Sequence, residues 1–208
     1  MNKFMLGRKA GMTQIFDENG ETIPVTVIDC GPLTVVQNKS QETDGYQAVK
    51  VGYEAFKKGN KPEKGQFAKA GVEPMRFLRE FRDTDHFEIG QSINVADMFE
   101  VGNTVDVVGI SKGKGYQGSV RRFGTARGPM AHGSKYHRHA GSNGTSATPS
   151  RVRKGNKLPG HLGQNRVTVQ NLRIVKVDGE RNILVVKGAV PGARGGLLEI
   201  TTSVKSAQ

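Results

Sequence analysis

The chain has 208 residues, with 31 Lys and Arg against 19 Asp and Glu and a formal charge of +12. That length suffices for a real core, whereas 6% aromatic residues and no Trp leave few platforms for stacking on single-stranded bases. No run approaches the roughly 18 apolar residues of a helical membrane span, and Cys30, the only cysteine, excludes an intrachain disulfide or a cysteine-rich zinc site. The opening stretch from Met1 to Gly7 is too short in its apolar part for a signal peptide, so the chain reads as soluble and cytoplasmic.

Taken in chain order, the first hundred residues read mostly as short strands. Residues 12–16 and 22–28 flank Asp17-Glu18-Asn19-Gly20, where Asn-Gly can take positive φ, which predicts a hairpin. Residues 34–38 and 48–53 are two further β-rich runs. Residues 61–70 suit a short helix, with Asn60 as its cap and Pro62 in its first turn. Residues 76–82 fit a strand or a helix. Strands resume at 87–89, 92–95 and 104–110, with one helical turn over 95–99. At the far end, 166–177 is a long Val- and Ile-rich strand, Asp178-Gly179 turns the chain, 182–187 returns it, and 197–201 is the last strand. Many short strands flanking one anomalous insert predict a β-barrel or sandwich closed by both chain ends.

The insert spans residues 111–165 and holds 11 glycines in 55 residues, with no helical or strand periodicity. It lies inside a run of 71 residues, from Asp106 to Asp178, without a single Asp or Glu. That run carries 14 cations: Lys112, Lys114, Arg121, Arg122, Arg127, Lys135, Arg138, Arg151, Arg153, Lys154, Lys157, Arg166, Arg173 and Lys176. The rest of the chain holds 17 basic and 19 acidic residues, a net of −2. Clustered Lys and Arg gain affinity by displacing condensed counterions, so a polyanion is the implied partner. The insert has too little apolar surface to offset its ordering entropy, and we expect it to fold against nucleic acid. As a two-legged arm it would reach at most about 90 Å.

Three motifs suggest other chemistry. Gly113-Lys114-Gly115-Tyr116-Gln117-Gly118 fits GxGxxG, but a dinucleotide site needs a following helix and an acid about 20 positions on. The insert looks too broken by Gly and Pro for the helix, and the next acid is Asp178. A kinase would need carboxylates that the run lacks. His132, His137, His139 and His161 have no Cys or carboxylate companions and match no zinc module, so no metal or other cofactor is expected. In a basic arm, His137 and His139 suit secondary contacts to RNA. Lys57, Lys58 and Lys61 have Glu54 and Glu63 nearby, for which a solvated turn suffices. A DNA-binding architectural protein and a nucleotide-binding enzyme remain the rival readings.

Several blocks in order resemble the bacterial large-subunit ribosomal protein three family. The most specific runs Phe99, six residues, Asp106, then Gly109, Ser111, Gly113-Lys114-Gly115, Gly118 and Arg122. Others are Leu6-Gly7-Arg8-Lys9-Ala10-Gly11-Met12, His132-Gly133-Ser134 with His137-Arg138, Gly160-His161-Leu162-Gly163, and Arg166-Val167-Thr168-Val169-Gln170-Asn171. The resemblance implies a mainly β fold: a six-stranded Greek-key barrel of the translation-protein type, from 1–110 and 166–208, with small peripheral α/β elements. It implies that 111–165 is an RNA-penetrating arm reaching toward the peptidyl transferase centre. The protein would be a structural constituent of the large subunit and no enzyme. It would bind 23S rRNA near its 3′ end, nucleate assembly, and neighbour the fourteenth and nineteenth large-subunit proteins, with no membrane contact and no homo-oligomer. Lys112, Lys114, Arg121, Arg122, Arg127, Lys135, Arg138, Arg151, Arg153, Lys154, Lys157 and Arg166 are the expected phosphate contacts. Gly113, Gly115, Gly118, Gly133, Gly141, Gly144 and Gly155 are expected to let the backbone approach RNA. Ala147 stands where some relatives carry a methylated Gln, so that modification is not expected.

Overall fold

The computed structural model describes residues 3–82 and 87–206. The elements in order are β1 (Phe4–Phe16), β2 (Thr22–Asp29), β3 (Leu33–Lys39), α1 (Gln41–Asp44), β4 (Ala48–Ala55), α2 (Lys61–Ala70) and β5 (Met75–Arg82). There follow β6 (Ser92–Ile93), α3 (Val95–Met98), β7 (Thr104–Ile110), β8 (Tyr116–Gln117), α4 (Ser119–Phe123) and β9 (Gly160–His161). Then come β10 (Arg166–Asp178), β11 (Ile183–Lys187), β12 (Leu197–Thr202) and a last 3-10 turn, Val204–Ser206. Strand covers 41% and helix 13%, so the protein is mainly β. By contacts it divides into two units, Met1–Ile110 with Arg166–Gln208, and Ser111–Asn165.

In the larger unit, six strands pair in the closed order β1-β12-β7-β10-β11-β2, every pair antiparallel. A second sheet, β5-β4-β3-β6, lies in the same unit. The predicted hairpin is present, with Phe16 opposite Thr22 and Gly20 at φ 79°. Its first strand starts eight residues earlier than expected, because Phe4, Met5 and Leu6 are all buried and show no alternation. Their burial has a geometric cause. Met5 pairs with Ile200 and points into the barrel, while Phe4 points the other way and stacks on Phe81 of β5 at 4.5 Å. Strand β1 is therefore the wall shared by barrel and small sheet.

Polar ties reinforce that wall. Arg8 of β1 donates to Glu54 of β4 at 2.8 Å, and Arg79 of β5 to Glu199 of β12 at 2.5 Å. The Tyr53 hydroxyl donates to the Asp29 carbonyl at 3.1 Å. Cys30 is fully buried, and burial pushes its thiol far above the usual range, so it serves as packing.

Helix α2 has the predicted bounds. Glu63 accepts the Asn60 N–H at 2.8 Å, Phe67 is its one buried side chain, and Gly71 ends it at φ 66°. Residues 76–82 form a strand. Residues 87–89 do not: Gly90 and Gln91 bond to Val35 at the bulge of β3, and the chain turns at Gly90 before it can join the sheet. The four-residue α1 is too short and polar to announce itself.

Phe4→Ala should remove the stacked pair and leave a cavity in the shared wall. We expect a loss of about 3–5 kcal/mol, read from the denaturant midpoint.

Candidate nucleic-acid interface

The unit Ser111–Asn165 contains no carboxylate and, among the described residues, no ion pair. Lys112, Lys114, Arg121, Arg127, Lys135, Arg138, Arg151, Arg153, Lys154 and Lys157 are all exposed, as are His137 and His139. Cations of one sign without internal partners repel one another, and a polyanion relieves that repulsion.

The base of the unit is built more tightly than its composition predicts. Ser111 and Asn165 bond reciprocally, Ser111 N–H to the Asn165 carbonyl at 2.9 Å and Asn165 N–H to the Ser111 side-chain Oγ at 3.2 Å. Lys114 N–H donates to the Leu162 carbonyl at 2.9 Å, and Leu162 N–H to the Gly115 carbonyl at 3.0 Å. β8 and β9 pair antiparallel beyond them. Gly163, at φ +81°, is buried so closely that a Cβ would collide with the Lys112 carbonyl oxygen. The expectation of no regular structure is thus corrected at the base. Elements of two and five residues are too short to show a period.

One further expectation changes here, and Arg122 gains a structural partner. A helix, α4, does follow the Gly113–Gly118 loop. It has only five residues, every paired strand is antiparallel, and the Lys114 amide is taken by Leu162, so no dinucleotide cradle results. Arg122 is not free: its guanidinium donates to the Leu158 carbonyl at 2.9 Å, lies 4.9 Å from the Phe123 ring centroid, and abuts Gly160.

Farther out, Gly128 N–H donates to the His137 carbonyl at 2.9 Å and closes a loop. The Tyr136 ring lies 5.3 Å from that of His139. A concavity of about 470 Å³ is lined by Asn143, Thr145, Arg151, Arg153, Lys154 and Asn156. Of the seven glycines expected near RNA, Gly113, Gly118 and Gly141 face open space, as close backbone approach requires. Gly115, Gly133, Gly144 and Gly155 face open space too, but at positive φ, so each also turns the chain. Sequence reasoning passed over Tyr116, which is 76% exposed, and the exposed rings of Phe123 and Tyr136. Aromatics scattered among cations were the available signal.

Arg166, in the larger unit, shares Glu199 with Arg79 and donates to it at 2.9 Å. Burial opposes ionisation of Glu199, yet hydrogen bonds from Arg166 and Arg79 hold its carboxyl below the usual range. No group of three or more His, Cys, Asp or Glu suited to a metal occurs among the described residues.

The family model for ribosomal protein L3 matches residues 80–182. Large ribosomal subunit protein uL3 of Acetivibrio thermocellus is 60% identical over 210 residues, covering 99% of both chains. The uL3 of Carboxydothermus hydrogenoformans is 59% identical over 209 residues, again 99% of both, and that of Staphylococcus epidermidis 53% over 217 residues, 99% of this chain and 98% of the relative. The chain belongs to the uL3 family. It is a structural protein of the large ribosomal subunit and not an enzyme, and its bacterial setting is the cytoplasm.

The residues that made the uL3 resemblance specific cluster at the two strands bearing the insert. Phe99 is core. Asp106 is buried and accepts the Asn171 N–H at 2.8 Å, pinning a bulge of β10 where Asn171 takes φ 59°. A Cβ on Gly109 would stand 2.8 Å from Leu198. Ser111, Gly115 and Arg122 hold the base described above.

Gly163→Ala should open that base. We expect amide exchange at Lys114 and Leu162 to accelerate at least about tenfold, with the β12 amides unchanged. Glu199 has a lowered value when folded, so its contribution is complete above about pH 4.5, the unfolded value, and is lost as pH falls below that through the lower folded value. Glu199→Gln should cost about 0.5–1 kcal/mol near neutrality, a figure reduced by solvent screening of the exposed arginines. That difference should shrink progressively as pH falls below about 4.5 in paired denaturation curves.

Proposed function

We propose that this uL3 chain binds 23S rRNA directly near its 3′ end and nucleates assembly of the large subunit. In this reading Ser111–Asn165 is an arm that enters the RNA and reaches toward the peptidyl transferase centre. The observation carrying the proposal is the acid-free run of 14 cations, most of them exposed and without a carboxylate partner. Its Gly-rich backbone suits passage between closely packed RNA helices, and Arg151, Arg153 and Lys154 around one polar concavity suit phosphate. Tyr116 and Tyr136 offer faces to unpaired bases. We read the strand ring as a Greek-key barrel of the translation-protein type, because β7, β10 and β11 run as neighbours and β12 returns beside β7. The barrel then carries the arm and meets protein neighbours, which we take to be the fourteenth and nineteenth large-subunit proteins. The protein acts as a single copy per subunit.

Salt titration of binding to a 23S rRNA transcript tests this. With ten phosphates engaged, log affinity should fall with log salt at a slope between about −7 and −9. Changing Arg151, Arg153, Lys154 and Lys157 together to Gln should make the slope shallower by about 3. A wild-type slope near zero, or equal affinity for duplex DNA, would overturn the reading.

A further inference from the structure

The small sheet holds a second cluster of cations, outside the acid-free run. Lys57 and Lys58 follow Phe56 out of β4, and Lys61 and Lys64 lie one turn apart at the start of α2. All four are exposed, and among the described residues none makes an ion pair. Their acidic sequence neighbours are Glu54 and Glu63. Glu54 is turned to Arg8 at 2.8 Å and Arg76 at 3.8 Å, and Arg8 holds its carboxyl below the usual range. Glu63 accepts the Asn60 N–H. The fold therefore commits Glu54 to arginines and leaves Glu63 as the carboxylate beside the lysine cluster.

Beside these lysines runs a half-open groove of about 450 Å³, walled by Phe56, Pro74, Met75 and Arg76. Phe56 is 39% exposed although its backbone is fixed, its N–H donating to the Pro74 carbonyl at 2.7 Å. Gly59 and Glu63 also line the groove, which puts the loop and the first turn of α2 on its rim. An exposed ring and a guanidinium lining a slot, with exposed lysines on the adjoining loop and helix, match what a nucleotide presents: a π-face and a phosphate.

We infer that this loop and helix form a second RNA-contact surface, with lysines 57, 58, 61 and 64 on phosphates and one unstacked base on Phe56. The inference rests on the RNA-binding reading above. Four lysines without an ion pair among the described residues, against one rim carboxylate, Glu63, give a net positive surface that favours RNA over a protein segment as occupant.

The test uses the full chain and the same 23S rRNA transcript. Changing Lys57, Lys58, Lys61 and Lys64 together to Gln should make the salt slope shallower by about 3, with the arm untouched. Phe56→Ala should weaken binding at least about fivefold at fixed salt without altering the slope, and Phe56→Trp should restore it. All five side chains are exposed, and coincident thermal melts check that the fold survives. A four-lysine variant with the wild-type slope, or a Phe56→Ala that binds like wild type, overturns the inference and leaves the groove to a protein neighbour or to solvent. Failure of the parent reading looks different, because the wild-type slope itself would then be near zero.

Discussion

Ile110 and Arg166 are cross-strand partners in β7 and β10, so the 55 residues between them leave and rejoin the barrel at one point. Two sides of the closed ring depend on that pair, since β7 also holds β12 and β10 also holds β11. Closing a flexible loop of this length costs roughly 3–4 kcal/mol. The offset comes from straps placed next to the strand ends, Ser111 to Asn165 and Lys114 to Leu162, which shorten the part of the insert left to wander. Asp106 and Gly109 do the same work one step inside the barrel, by pinning the β10 bulge and by letting β12 approach. The motif that makes the uL3 resemblance most specific is therefore chiefly a description of how an insert is mounted.

The charge distribution follows from the same division. Acids in the larger unit have structural work: Glu54 joins β4 to β1, and Glu199 joins β12 to β5 and to the start of β10. Each of these carboxyls lies below its usual range because arginine hydrogen bonds favour the ionised form. A carboxylate in the insert would fold its cations onto itself and reduce the number of counterions released on binding. The protein thus places compensation where it builds the fold and withholds it where a polyanion must be met.

Much of this was readable from residues alone, for physical reasons that also mark the limits. Helix α2 was legible because Asn60 and Pro62 are local punctuation with local effects. Strand β10 was legible from its Val and Ile content. The start of β1 was not, since burial on both faces erases the alternation that identifies a half-buried strand. The base of the insert escaped because its bonds join Ser111 to Asn165 across 54 positions, a relation with no trace in local pattern. Arg122 looked like any other cation, and only the Leu158 carbonyl beside it reveals a strut.

Glu54 shows most plainly how sequence proximity misleads about charge. Three positions separate it from Lys57, which suggests mutual neutralisation. In the fold, Glu54 takes φ 60° near the end of β4, a conformation that a non-glycine residue holds only when its surroundings over-determine it. Those surroundings are Arg8, 46 positions away, and Arg76, both flanking the Phe77 ring at about the same distance, 5.3 and 5.2 Å. The tie that fastens the small sheet to the barrel is the same contact that engages Glu54 and keeps it from pairing with Lys57. Stability of the fold and the electrostatic field of its surface are here consequences of one side chain's choice of partner.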